Sequence, residues 1–383
     1  MSGAGPQTHR SPGPDVARGV ALAIVAMSNT VWWVYGLDPG TLVWDSVDRW
    51  TAALSVMFIS GRAYPMFSFL FGYGIVQMLS HLAARGVSRR RAEIVVTRRN
   101  LTLVGLGFLH AVFLFNGDVL GAYGLLGFIC LVLARRSPSS IALIAVAFLA
   151  LRVLYDYHGW VWQWVDLSLS QEVASASTYG GAMGLRVRDW LTGWASLPYY
   201  LAPMMFGVLA ARLRILEEPE KHRRLLIGTI AGGFAFSILS GLPETLVALD
   251  RWHPSGSQTW ETIDTIGEAG GIAGGIALAA LASLLAFYAG RSGVLHTVLE
   301  PVRCLGRRSL SGYLFQSFAF LLIFPAYTLG FGGKSGITAC YLIALAVWGM
   351  SLVLATLLER SGRTGPGEWL MRRAAYGAQK VRL

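Results

Sequence analysis

The sequence predicts an all-α, polytopic membrane helical bundle of about ten transmembrane helices with both termini in the cytoplasm. Three observations carry this. Hydrophobic residues make up 54% of the 383 residues and charged residues only 14%, against roughly 25% charged in soluble domains. Several apolar runs reach the ~20 residues that a helix needs to cross a bilayer. Arginines gather in short segments between those runs, the pattern of loops held on the cytoplasmic side. The net charge of +11 therefore reads as topology. It makes the lipid bilayer, and not nucleic acid, the expected partner.

The elements follow in order. Residues 1–18 are polar and rich in Pro and Gly, predicting a mobile cytoplasmic N-terminus. The first apolar run, Gly19 to Leu37, is too long for a signal-peptide core and lacks a small-residue cleavage site. It is read as the first span, at about 19–37. Further spans are expected at about 63–84, 100–116, 118–134, 138–157, 190–211, 225–247, 263–289, 309–330 and 336–358. They form one bundle domain over 19–358, followed by a basic cytoplasmic tail over 359–383. Between the third and fourth spans, Asn116-Gly117-Asp118 is a turn signal that predicts a tight helical hairpin.

Orientation rests on the arginines. Arg85, Arg89, Arg90, Arg91, Arg98 and Arg99 all fall between the second and third spans. Alternation then places Arg135 and Arg136, the stretches 212–224 and 291–308, and the tail on the same side. The opposite segments, 38–62, 158–189 and 248–262, carry Trp44, Trp50, Trp160, Trp162, Trp164, Trp252 and Trp260. Tryptophan favours the headgroup zone, so these read as an interfacial belt. A surface that stacks carbohydrate or lipid is the sharper alternative.

Ionisable groups within apolar spans need a partner or a wet cavity. His110 ends the third span and Asp118 opens the fourth, eight residues on across the turn. A carboxylate on one imidazole nitrogen would leave the other as a base; alternatively, the pair locks the hairpin. Glu261, Asp264 and Glu268 share a helical face at offsets of three and seven. Glu268 lies deepest, in a Gly-rich stretch suited to close helix packing. Arg62 or Arg152 is its expected cation, forming either a structural pair or part of a substrate or proton path. Cys130, Cys304 and Cys340 have no metal spacing and read as packing residues. No GxSxG, HExxH or Walker motif occurs, and no metal is expected.

Three blocks resemble the YeiB-like family of bacterial integral membrane proteins. The first is Asp15-Val-Ala-Arg18-Gly19 with Asn29. The second is Met66-Phe-Ser-Phe-Leu-Phe-Gly72-Tyr-Gly74, then the arginine loop, His110 and Gly117-Asp118. The third is Leu305-Gly306-Arg307-Arg308-Ser309-Leu310-Ser311-Gly312-Tyr313-Leu314-Phe315-Gln316-Ser317, with Gly365-Pro-Gly-Glu368-Trp369. Ser311-Gly312 stands where the family usually has Thr-Asn. The resemblance covers nearly the whole chain and implies a multi-pass protein of the bacterial inner membrane.

The family is in turn similar to transmembrane acyltransferases, including the sugar O-acetylating type and the lysosomal glucosaminide N-acetyltransferase. This implies transfer from cytoplasmic acyl-CoA to a carbohydrate or lipid acceptor at the outer face. Arg18 matches an arginine of the O-acetylating type, whereas Asn29 stands at its histidine position and cannot act as a base. His110 with Asp118 would then be the catalytic pair. Asn29, Arg62, Glu268 and Gln316 would bind substrate, and Arg18, Arg307 and Arg308 would attract the CoA phosphates. Ordinary cytoplasmic anchoring is the plain reading of those three arginines. A transporter or flippase of a small or lipid-linked molecule is the competing function, and a non-catalytic envelope membrane protein is a third.

Overall fold

The computed structural model describes residues 11–35, 46–158 and 167–377. Among them are fifteen α-helices and no β-strand. In chain order these are α1 (Gly13–Thr30), α2 (Ser46–Phe58), α3 (Ala63–Ala84), α4 (Arg89–Phe113), α5 (Leu120–Leu133), α6 (Pro138–Tyr157), α7 (Leu167–Ser175) and α8 (Tyr179–Thr192). They continue with α9 (Pro198–Arg212), α10 (Arg223–Ala248), α11 (Ser257–Ala289), α12 (Gly293–Arg307), α13 (Ser309–Ile323), α14 (Ile337–Arg360) and α15 (Pro366–Tyr376).

Six helical stretches are long and apolar enough to cross a membrane: Gly13–Trp33, Ser46–Ala84, Pro138–Tyr157, Arg223–Ala248, Gln258–Ala289 and Ile337–Arg360. Their outward faces are apolar. Leu143 on α6 is 72% exposed and Leu342 on α14 is 63% exposed, a cost in water that lipid removes. The architecture is that of a helical membrane protein. Ten helices overlie the ten expected spans, but α4, α5, α9 and α13 lie outside the six. Helix α4 opens on arginines, while α5, α9 and α13 have 14, 15 and 15 residues. At 1.5 Å per residue that is about 21–23 Å, short of a ~30 Å hydrocarbon core.

Boundaries differ from the sequence reading in several places, and in each a polar or amphipathic stretch proves helical, as in the stretch 291–308, expected as a loop, which contains α12. Helix α1 starts at Gly13 and not at Gly19, with Pro14 and Asp15 suited to a first helical turn. Residues 38–62, expected as a loop, contain α2. Residues 158–189 contain α7 and most of α8, which Gly193 and Pro198 separate from α9. The stretch after Glu359, expected as a tail, contains α15, packed on α4 and α13. Trp50, Trp252 and Trp260 are exposed, as an interfacial belt requires. Trp44, Trp160, Trp162 and Trp164 lie outside the described residues.

Helix α1 is central, contacting α3, α11, α12, α13 and α14. Small residues set the closest crossings. In the Gly-rich part of α11, a Cβ on Gly271 would overlap the Gly61 carbonyl, and one on Gly270 would overlap Ser240. Gly61 itself has φ +71° and makes the turn between α2 and α3. The three cysteines are buried free thiols.

Candidate functional site

The expected hairpin positions the first two groups of the site. Helix α4 ends at Phe113, and Asp118 caps α5. Its Oδ1 accepts from Leu120 N (3.1 Å) and its Oδ2 from Gly121 N (2.9 Å), satisfying donors that a helix start leaves open. Asp118 Oδ1 also lies 2.9 Å from His110 Nδ1. At Gly107, one turn before His110, a Cβ would overlap Gly121 N and come 2.6 Å from Asp118 Oδ2. The absent side chain there is what lets the two helices approach closely enough for the pair to form.

The other imidazole nitrogen is engaged as well. Ser317 Oγ on α13 lies 2.9 Å from His110 Nε2. A carboxylate only accepts, so Nδ1–H donates to Asp118 and the Nε2 lone pair accepts from the Ser317 hydroxyl. Asp118, His110 and Ser317 thus form a continuous chain. The His110 side chain is 0% exposed, and the Tyr313 ring packs on it at 4.8 Å. Sequence reasoning placed His110 and Asp118 together but did not assign Ser317, which is 207 residues from His110. No local spacing could have revealed that contact.

Beside this chain runs a cavity of about 1340 Å³. It follows α3 from Tyr64 through Phe67, Phe71, Gly74 and Met78 to Arg85, about 32 Å of helix and comparable to a bilayer core. One end is lined by Arg18, Arg85, Arg99, Arg307 and Arg372. Arg18 pairs with Asp15 (3.2 Å) and Arg307 with Glu359 (2.5 Å), whereas Arg99 lies over the Phe71 ring at 4.7 Å. Arg85 and Arg372 have no carboxylate partner among the described residues. That end suits an anion carrying several phosphates. The far end is aromatic, with Tyr64, Tyr123, Tyr199, Tyr200, Trp190 and Trp194, and it carries Asp118 and Glu268.

The structure distributes the expected site residues unevenly. Asn29, Asp118, Glu268, Arg18 and Arg307 line the cavity, as does Tyr313. His110 does not: Asp118 and Tyr313 stand in the wall beside it. Arg308 is tied to Glu359 (2.6 Å) and the Arg363 carbonyl (2.6 Å), away from the cavity. Arg62 donates to Ser237 Oγ (3.1 Å), the Ser237 carbonyl (2.9 Å) and the Ser60 carbonyl. Arg152 is the cation for Glu268 (3.3 Å), and it also holds Asp156 (2.6 Å). Gln316 is buried, with neither amide atom hydrogen-bonded. Arg85, Arg99, Arg372, Trp190 and Trp194 were not assigned to a site from the sequence. Loop arginines look alike, and the two tryptophans sit in the first turns of the span expected at about 190–211.

Residues 210–378 match a family model described as a protein of unknown function (DUF418). Over 363 residues the chain is 28% identical to the uncharacterised protein YxaH of Bacillus subtilis (strain 168), covering 87% of this chain and 84% of YxaH. It is 25% identical over 392 residues to the uncharacterised protein YeiB of Escherichia coli (strain K12), covering 95% and 96%. The chain is thus similar to YeiB-like proteins over most of its length, and its C-terminal part matches the family model.

In this chain the blocks that carry the resemblance touch one another. The Glu368 carboxylate accepts from Leu310 N (2.9 Å), Ser311 N (3.2 Å) and Ser311 Oγ (2.5 Å). It thereby joins α15 to the start of α13. A Cβ on Gly306 would overlap the Asp15 carbonyl, so the first and third blocks meet backbone to backbone. Together these contacts hold α1, α13 and α15 around the arginine end of the cavity.

Proposed function

We propose that this protein is a transmembrane acyltransferase of the bacterial inner membrane. In this reading it moves an acyl group from cytoplasmic acyl-CoA to a carbohydrate or lipid acceptor at the outer face. The observation that carries the reading is the single cavity that follows α3 from five arginines to Asp118, beside His110. Arg99 and His110 lie on one helix, about 17 Å apart along its axis. A donor held by its phosphates at Arg18, Arg85, Arg99, Arg307 and Arg372 therefore has a path for its thioester arm to the imidazole. Asp118 orients His110 as the base. Asn29 and Glu268 face the bound molecules, and the tyrosines and tryptophans of the far end offer stacking faces to the acceptor. Arg62, Arg308 and Gln316 act on this site from behind its wall.

The test is turnover. Protein in lipid nanodiscs, given acetyl-CoA and a panel of sugars and glycolipids, is expected to release CoA above the rate of protein-free discs. If no CoA is released with any acceptor, and a labelled acceptor crosses intact in vesicles instead, the transporter reading replaces this one. The length of the same cavity along α3 favours that second reading.

The proposal includes ten spans with both termini in the cytoplasm, so that the arginine end faces CoA. In a cysteine-labelling experiment on intact cells, Ser88→Cys and Leu370→Cys are expected to be protected from an impermeant maleimide and Gly256→Cys to react. Labelling of Ser88→Cys from outside would invert the assignment.

A further inference from the structure

Resting on the acyltransferase reading, we infer that Ser317 is a nucleophile and that transfer proceeds in two steps through an acyl ester on its hydroxyl. The first warrant is the hydrogen-bond chain. Ser317 Oγ is 2.9 Å from His110 Nε2, and His110 Nδ1 is 2.9 Å from Asp118 Oδ1. A hydroxyl donating to an imidazole, itself oriented by a carboxylate, is the arrangement that activates a weak nucleophile. Its members come from α4, the α4–α5 turn and α13, so no sequence motif announces it.

The second warrant is a set of donors with nothing to bind. Attack on a thioester builds negative charge on the carbonyl oxygen, which needs hydrogen-bond donors nearby. Ser317 lies inside α13, where the backbone N–H groups are spent on the helix, so the donors must be side chains. Tyr313, Gln316 and Ser317 follow one another at i, i+3 and i+4 and share a helical face. The Tyr313 hydroxyl and both polar atoms of the Gln316 amide are buried and unpartnered among the described residues. Buried polar groups in native proteins are rarely left so. An oxyanion between them would use the Tyr313 O–H and the Gln316 amide N–H. Tyr313 also lines the cavity while packing on His110. Ser317 and His110 lie outside the cavity lining, so in this inference the acyl group reaches Ser317 past the Tyr313 ring.

The steps balance. Ser317 Oγ attacks the acyl carbonyl of the thioester as its proton passes to His110 Nε2. The C–S bond breaks, the proton moves from Nε2 to the thiolate, and CoA leaves as the free thiol. An acceptor hydroxyl then attacks the Ser317 ester, giving its proton to Nε2. The bond from carbonyl carbon to Oγ breaks, and the proton returns to Ser317.

Two probes on the full-length protein in nanodiscs separate this inference from the donor reading. A fluorophosphonate reports an activated serine whatever the natural donor. Acetyl-CoA followed by an acid quench and peptide mass spectrometry reports an acetyl ester. Wild type is expected to carry both modifications on the peptide containing Ser317. Both should fall to background in Ser317→Ala and His110→Ala, and form more slowly than in wild type but above that background in Asp118→Asn, where the imidazole remains but is less well oriented. Release of CoA by wild type with Ser317 unmodified by either probe would overturn the inference and leave direct transfer standing. Equal turnover in Ser317→Ala would do the same. Fluorophosphonate on Ser317 without reaction of acetyl-CoA would retain the nucleophile and remove acyl-CoA as its donor. Reaction with neither probe and no CoA release would remove both.

Discussion

Replacing His110 with alanine is expected to lower acyl transfer by on the order of 10²–10⁴-fold, the usual contribution of a general base, with the bundle still folded. The fold survives because each partner has another bond to make. Asp118 keeps Leu120 N and Gly121 N, and the Ser317 hydroxyl can turn to a carbonyl of its own helix. Asp118→Asn should cost less, since the imidazole remains but an amide no longer fixes one tautomer. CoA release and the thermal unfolding midpoint, measured on the same nanodisc samples, separate a lost base from a lost fold. A His110→Ala protein with undiminished turnover would remove His110 from the chemistry.

Arg152→Met should destabilise the protein by about 3–5 kcal/mol, the usual result of removing one partner of a buried ion pair. Arg152 is 1% exposed and serves two carboxylates. Its Nε donates to Asp156 (2.6 Å) and its Nη2 to Glu268 (3.3 Å), while Nη1 reaches the Tyr64 hydroxyl (3.4 Å). Its guanidinium also lies over the Tyr199 ring. Methionine keeps much of the packing volume but strands Asp156 and Glu268 without their cation. Adding Asp156→Asn and Glu268→Gln should restore a large part of the loss, because the stranded charges are then gone. Unfolding in mixed micelles of increasing SDS fraction measures both effects. A single variant as stable as wild type would show that the two acids do not need Arg152.

What the sequence made legible and what it hid divide along one physical line. A local turn and the cost of burying charge are visible in one dimension. Asn116-Gly117-Asp118 foretold the hairpin that brings Asp118 to His110. The expense of Glu268 in an apolar helix named Arg152 as a possible partner. Contacts between distant elements left no such trace. Ser317 reaches His110 from another part of the chain, and nothing in its neighbours distinguishes it from a packing serine. Arg99 and Arg85 look like the anchoring arginines around them until the fold shows a cavity at their side. Helices α2, α8 and α15 were read as loops or tail because their polar residues interrupt any long apolar run. Packing on the bundle, and not local hydropathy, makes them helical.

The position of bound CoA tests the central claim most directly. Cryo-electron microscopy of the nanodisc-embedded protein at saturating CoA should show the phosphates against Arg18, Arg85, Arg99 and Arg372, with the thiol arm running beside α3 toward Asp118 and Tyr313. CoA density outside this cavity, or a cavity still occupied by lipid chains with those arginines turned to water, would contradict the account.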